Sequence, residues 1–450
     1  MKRIAMIFYY DKRARYSINP LVASVDVVRG IDVYLVERLD AVFDAIGFLA
    51  TKYNNNCVLG FSLLTTMLTD DQYLSEIIRL NKLVKDKCIT IVGGPHASGD
   101  PIGSIVSLGF EYVFIGEAEY SLPRFLEAIR EGEDILSVPG IFLLKDDEEF
   151  FFTGKGKPID INEFHPFPYW RYLFNPIEIS RGCPYGCRYC QVTYLHGNCM
   201  RHRSIERIAD YAEIMAKQGL RDIRFISPNA LAYGSNSLGT VNYTAIEELL
   251  ETITTRLKPK YGIRVFYGSF PSEVRPEYID DEVARLLLKY VANREIIIGA
   301  QTGSNRLLNF IGRKHDAEVV LNAVEILHRH GFRASVDFII GLPSETRSDL
   351  EETLNVIKKL AQMNARIHLH TFIPLPGTPF AHAKPGRIPA WFKKEVFKII
   401  GAGKAYGEWL RQEKLAIKVD ELRRKGIIMP KASYSSADHQ RPASSRIRTL

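Results

Sequence analysis

The stretch "IEISRGCPYGCRYCQV", residues 177–192, places Cys183, Cys187 and Cys190 in a C-x3-C-x2-C run directly after the strand-like "IEIS". Tetrahedral zinc ordinarily takes four ligands, commonly as two separated pairs, and no second pair exists in this chain. A catalytic disulfide uses two cysteines rather than three. Three thiolates can hold a cubane iron–sulfur cluster by three corners and leave the fourth iron open to a non-protein ligand. Because the run follows a strand, the cluster would sit at a strand's carboxyl end, where barrel enzymes do their chemistry.

Outward from this stretch, β/α alternation fills residues 176–374. Strands are expected at Ile177–Ser180, Asp222–Ser227, Arg264–Ser269, Glu295–Gln301, Ala334–Gly341 and Arg366–Ile373, each but the last followed by a helical pattern. The clearest helix is Asp349–Met363, with Leu350, Leu354 and Ile357 on one face and Thr346 and Asp349 as a capping pair. Six such units predict an incomplete barrel related to the eight-fold one. Before residue 130 the alternation is tighter. Strands at Arg3–Tyr9, Val33–Glu37, Val58–Ser62, Thr90–Gly93 and Tyr112–Gly116 alternate with helices such as Asp71–Lys85 and Ser121–Arg130. That pattern predicts a doubly wound, Rossmann-like parallel sheet covered on both faces, with its ligand at the strands' carboxyl ends. The organisation expected is therefore an α/β domain over 1–143, a linker over 144–173 containing a hairpin, a partial (β/α)6 barrel over 174–380, a helical region over 381–428 and a disordered tail over 429–450. The helical region contains one amphipathic stretch, Pro389–Arg424.

The bulk properties agree. The chain has 450 residues, 46% apolar and 25% charged, values of a globular protein of two or three domains. No secretory signal or membrane-length apolar run is visible, so a cytoplasmic protein is expected. Six cysteines are too few for a disulfide scaffold, and Cys57 and Cys88, beside strand-like runs, read as small buried hydrophobes. The net charge of +7 is uneven: Ala381–Leu450 carries 16 basic and 6 acidic residues, leaving the rest at −3. This basic region allows a nucleic-acid contact, but a solvated helical face plus a basic tail is the reading taken.

The cysteine run, with Tyr189 before its last member, resembles the signature of the radical S-adenosylmethionine (SAM) superfamily. "VDFIIGLPSET" (336–346) resembles that superfamily's fifth-strand motif, "GAQTGSNRLL" (299–308) its fourth-strand segment and "HTFIPLPGTPF" (370–380) the segment after strand six. The resemblance covers about Pro176–Phe380. It implies that Cys183, Cys187 and Cys190 bind a 4Fe–4S cluster whose open iron chelates SAM. A 5′-deoxyadenosyl radical then forms, with a ferredoxin or flavodoxin as electron donor. It implies a SAM site at Tyr189, Ser227, Asn229, Gln301 and Gly341. The Gly-Gly-Glu sequence usual after the second strand is replaced here by "ISPNALAYG" (226–234).

An N-terminal doubly wound domain before such a barrel resembles the cobalamin-binding branch. Ser62 and Leu64, with Gly93 and Gly94, match the segments that line the nucleotide tail there. The Asp-x-His-x-x-Gly motif is absent. His96 reads as a loop histidine hydrogen-bonded to corrin amides or backbone rather than a cobalt ligand, and Glu117 and Glu119 as ligand contacts or helix caps. The implied function is a cobalamin-dependent methylase of an unactivated carbon in an unidentified substrate, with Tyr194, His196 and Ala381–Trp391 lining the substrate site. Two other readings stand beside it. A methylthiotransferase-like RNA or protein modifier is echoed by "QTGS" and "PLPGTPF" but needs three N-terminal cysteines for a second cluster. A non-catalytic iron–sulfur carrier leaves the strand-end motifs without a purpose.

Overall fold

The computed structural model describes residues 3–145 and 149–430. The expectation of a disordered tail falls mainly on residues 431–450, outside the described residues. Met429, which that tail was expected to include, is held in place: its backbone N–H donates to Asp100 Oδ2 over 2.8 Å.

The first seven strands are β1 (Ile4–Tyr9), β2 (Ile31–Val36), β3 (Cys57–Ser62), β4 (Ile89–Gly93), β5 (Tyr112–Phe114), β6 (Ile141–Lys145) and β7 (Glu149–Phe152). They form one sheet in the order β2-β1-β3-β4-β5-β6-β7. The first five run parallel, and β6 and β7 join antiparallel. β1 and β3 are apolar on both faces because both faces are covered. Ile7 and Leu59 pack into one core, and Met6 and Val58 into the other. The hairpin expected in the linker thus belongs to this sheet, since Val113 of β5 pairs with Phe142 of β6.

Cys57 and Cys88 form a disulfide, with Cα atoms 4.9 Å apart. The expectation of two independent buried thiols is corrected here. Val58 pairs with Ile89, so the residues just before them, Cys57 and Cys88, face one another.

The second half contributes β8 (Ile177–Glu178), β9 (Ser180–Arg181), β10 (Arg201–His202), β11 (Asp222–Ile226), β12 (Arg264–Phe266), β13 (Glu295–Gln301), β14 (Arg333–Ile340), β15 (Arg366–Thr371) and β16 (Ala405–Tyr406). One parallel sheet has the order β12-β11-β8 and another β13-β14-β15-β16. A bridge from Val274 to Ile298 and a bond from Ile297 N–H to Gly268 O (2.9 Å) link the two sheets. Along β14, Ala334, Val336, Phe338 and Ile340 join the core shared with the helices. The strand's period of two therefore turns Ser335, Asp337 and Ile339 to the opposite face. The single C-terminal helix expected over Pro389–Arg424 is two helices, Ala390–Gly401 and Trp409–Arg424. Gly401, Gly403 and Gly407 interrupt the pattern, and β16 lies in the gap. Among the described residues no helix is long and apolar enough to cross a membrane.

Candidate active site

The three cysteines lie on the loop between β9 and the helix Val192–His196, and all three are free thiols. The loop is tied by its own backbone. Cys183 N–H donates to Gly197 O (3.1 Å), Cys190 N–H to Cys187 O (3.0 Å), and Thr193 Oγ1 to Cys183 O (2.7 Å). Gly182 is required at its position: φ is +89°, and a β-carbon there would run into the Cys199 carbonyl. Burial pushes the Cys183 thiol up and the Cys190 thiol up to about 12. Thiols raised this way become thiolate ligands only when a cation is there to receive them.

Two buried arginines face the loop. Arg275 Nη1 and Arg313 Nη1 each lie 4.0 Å from Cys187 Sγ. Arg275 stacks on Tyr185, 3.4 Å from the ring centre, and is braced by Glu277. Arg313 donates to the Gly299 carbonyl and reaches Tyr189 Oη at 3.5 Å. Sequence reasoning missed both residues, because an arginine read in sequence defaults to a solvated charge.

Of the expected SAM residues, Tyr189, Asn229 and Gln301 lie beside these arginines. Tyr189 is enclosed beside Arg313, and burial raises its phenol. Ser227 Oγ donates to Asn229 O over 2.9 Å, and Asn229 Oδ1 accepts from Arg275 N–H over 3.2 Å. Gln301 ends β13 with φ at +73° and 4% exposure. Gly341, at φ +78°, follows β14. The space its missing side chain leaves is taken by backbone, since a β-carbon would lie 2.6 Å from Arg387 N. Gly341 N–H donates to Glu345 Oε2 over 2.7 Å, and burial pushes the Glu345 carboxyl up to about 8. Asn229 Nδ2, Arg275 Nη2, Arg313 Nε and Glu345 Oε1 are buried polar atoms with no hydrogen-bond partner. Each lies beyond the carboxyl end of its strand. Buried polar atoms are normally satisfied, so three thiols with the unpaired nitrogens of Arg275 and Arg313 close by fit an iron–sulfur cluster with a polar, charged ligand beside it.

A cleft of about 240 Å³ opens between the two halves. Ser62, Gly93 and Gly94 line it from the first sheet, and Arg181, Leu195 and His196 from the cysteine side. Ser62 Oγ is buried and unpartnered. Leu64 and His96 do not line this cleft. His96 is fully buried, with Nδ1 3.1 Å from Thr65 Oγ1, so the expected corrin contact through His96 is replaced by a structural one.

Glu117 and Glu119 are not helix caps, because Tyr120 occupies that position without a side-chain bond. Both glutamates are paired. Glu119 accepts from Arg181 Nη1 (2.6 Å), and Glu117 accepts from Arg201 Nη1 (2.9 Å) and faces His196 Nδ1 (3.2 Å). Tyr194 lies over the cysteine loop, its hydroxyl 3.4 Å from Gly186 O. Gln191 Nε2 bridges the halves by donating to Pro95 O (3.1 Å) and Pro376 O (2.7 Å).

Residues 177–357 match the model of the Radical SAM superfamily. The chain is 30% identical over 363 residues to the uncharacterized protein MJ1620 of Methanocaldococcus jannaschii, covering 72% of this chain and 70% of that one. It is 24% identical over 361 residues to the uncharacterized methyltransferase PH0819 of Pyrococcus horikoshii, covering 77% and 73%. The chain belongs to the radical SAM superfamily and is an enzyme of that class. Its α/β fold is similar to that of a structure of the radical SAM methyltransferase TsrM from Kitasatospora setae with cobalamin and a [4Fe–4S] cluster bound. The TM-score is 0.65 at 18% identity, over 84% of this chain and 77% of that one.

Proposed function

We propose that this chain is a cobalamin-dependent radical SAM methylase acting on an unactivated carbon of a small molecule. In this reading the first sheet is a Rossmann-like cobalamin domain, and β8 and β11–β15 form a partial barrel. The observation that carries it is the placement of the cleft: its small-residue wall, Ser62 with Gly93 and Gly94, lies at the carboxyl ends of β3 and β4 and faces the helix that follows the three thiols.

Cys183, Cys187 and Cys190 would hold the 4Fe–4S cluster, which with SAM supplies a 5′-deoxyadenosyl radical when both are bound. Tyr189, Ser227, Asn229, Gln301 and the Gly341 backbone bound the SAM site. Arg313 and Arg275 bring positive charge to an anionic cluster and to a carboxylate beside it. Ser62, Gly93 and Gly94 leave room for the nucleotide tail of a corrin. The enclosed volume suits that tail, and the corrin itself would lie at the open mouth between the halves.

The methylthiotransferase reading needs a second cluster in the first domain. The two cysteines there are bonded to each other at the amino ends of β3 and β4, the opposite end from the cleft.

Anaerobic reconstitution tests the proposal. About four irons per chain are expected, and a triple Cys183/Cys187/Cys190→Ala chain should lose them. Iron near eight would move the reading toward methylthiotransferases. After incubation with hydroxocobalamin and desalting, the wild-type chain should keep a corrin spectrum. Gly93→Leu should lose it with iron intact. A β-carbon at Gly93 meets Phe114 only at 3.7 Å, an ordinary contact, so the remaining atoms enter the cleft without breaking the fold. An iron-replete wild-type chain that binds no corrin would end the cobalamin reading.

A further inference from the structure

We propose that Asp337, His368 and His370 form a second metal site, separate from the cysteine loop, that takes one divalent ion of the zinc type. One donor atom from each residue lies within 4.8 Å of the other two. All three sit on the face of β14 and β15 turned away from the helix-packed core, where strand alternation puts residues 337, 368 and 370 in one patch. Two imidazoles and one carboxylate are a donor set suited to zinc or ferrous iron.

Each ring has its Nδ1 engaged, in His368 by the carboxylate of the same cluster and in His370 by an amide on the neighbouring helix. His368 Nδ1 lies 3.0 Å from Asp337 Oδ1, and its ring stacks on Tyr406 at 4.5 Å with an angle of 6°. Tyr406 is itself fixed by Ser335 Oγ, 2.9 Å from its hydroxyl. His370 Nδ1 lies 3.1 Å from Gln412 Nε2, and the two rings are 4.1 Å apart. An ion would take the place of the proton between His368 Nδ1 and Asp337 Oδ1, with His370 Nε2 as its third ligand. Glu273 adds a further carboxylate, which feels the charges of Asp337 and His368 on one side and of Arg313 and Arg275 on the other.

Gln412 sets the tautomer of His370. Its Oε1 accepts from Thr371 N–H over 2.9 Å, so its Nε2 donates to His370 Nδ1 and leaves the proton on Nε2. A metal at Nε2 moves that proton to Nδ1, which then needs an acceptor. Gln412→Glu supplies acceptor oxygens to both Thr371 N–H and His370 Nδ1–H.

The test uses the full chain carrying the triple Cys→Ala change, so cluster iron cannot contribute. Zn2+ is titrated against a chromophoric chelator, and bound zinc is counted after desalting. One zinc per chain is expected, weakened at least about 100-fold by His368→Gln, which removes a ligand, and tightened about tenfold by Gln412→Glu, the scale of outer-partner effects. Circular dichroism of the metal-free variants checks folding. Zinc retained by a folded His368→Gln/His370→Gln double variant overturns the proposal. So does a folded parent chain that binds no zinc, or a Gln412→Glu chain that binds it no more tightly.

Discussion

His96 sits at 0% exposure with Nε2 3.9 Å from Asp100 Oδ2, and burial pushes its imidazole down from 6.5 to about 4. Asp100 is pushed up to about 6 by burial, against bonds from Met429 N–H and Gly103 N–H. The signs are opposite. Below pH 6.5 the unfolded chain protonates His96 and the native chain does not, so stability falls as pH drops toward 4. Asp100 binds its proton more strongly when folded, so its contribution is lost as pH rises from 3.8 through 6. His96→Gln keeps Asp100 and removes the first effect. Between pH 7.5 and pH 5 the wild-type chain should lose about 2 kcal/mol more than the variant, read from urea midpoints at the two pH values. Equal losses would mean that His96 is protonated in the native state. The residue is conspicuous in "GGPHAS" and still lies off the cleft: it sits in the short helix Gly94–Gly99 rather than in the expected loop, and its position in sequence does not give the direction of the ring. Arg275 and Arg313 are the converse case. Nothing in their neighbours marks them, and only the convergence of β12 and β13 on one mouth brings both within 4.0 Å of a cysteine sulfur.

At the scale of elements, the helix Arg347–Gln362 shows what its first turn does for the site. Thr346 and Asp349 form a capping box. Asp349 also accepts from Ser304 Oγ (2.6 Å) and Arg306 Nε (3.1 Å), fixing the turn that follows Gln301. Thr346→Ala removes one cap and should cost about 1 kcal/mol. Asp349→Ala leaves Ser304 Oγ unpaired in a buried setting and removes the carboxylate partner of Arg306, which keeps the Ser344 carbonyl. It should cost about 3 kcal/mol, by urea unfolding of the otherwise intact chain. Equal costs for the two would show that Asp349 acts only as a cap. This pair was legible because a capping box is local. The strands of both halves were legible for the same reason, their periods and glycine stops being local. The Cys57–Cys88 bond was not, since it depends on the β3–β4 register across 31 residues of sequence. β16 was missed because two residues cannot show a period. The glycine-rich "GAGKAYG" at 401–407 was the signal available, and it marks a break in a helix.

At the scale of the whole molecule, Glu117 is one of several carboxylates that join the halves. Glu117 follows β5 of the first sheet and accepts from Ile159 N–H (2.9 Å) in the connecting segment and from Arg201 in β10. It also faces His196, at the end of the helix after the cysteine loop. Burial works against its ionisation, but His196, Arg201 and Arg181 outweigh that and hold the carboxyl below its usual range. The cleft opens beside this junction, so the distance between its small-residue wall and the thiol loop depends on Glu117 keeping its charge. Arg181 would still have Glu119 and Glu178 without it, at 2.6 and 2.7 Å. Arg201 would have only backbone carbonyls, Ile159 O and His196 O. Removing one partner of a buried charge cluster costs about 3–5 kcal/mol, and here the loss falls on the junction rather than on either core. Glu117→Gln should therefore split the thermal unfolding of the chain into two transitions, seen by calorimetry, while reconstituted iron stays unchanged because none of the three cysteines touches Glu117. A single transition at the wild-type temperature would show that the junction is held by its other contacts, among them Glu119 with Arg181, Asn19 with Asn175 and Gln191 with Pro95 and Pro376, and that the Glu117 charge adds nothing to the coupling.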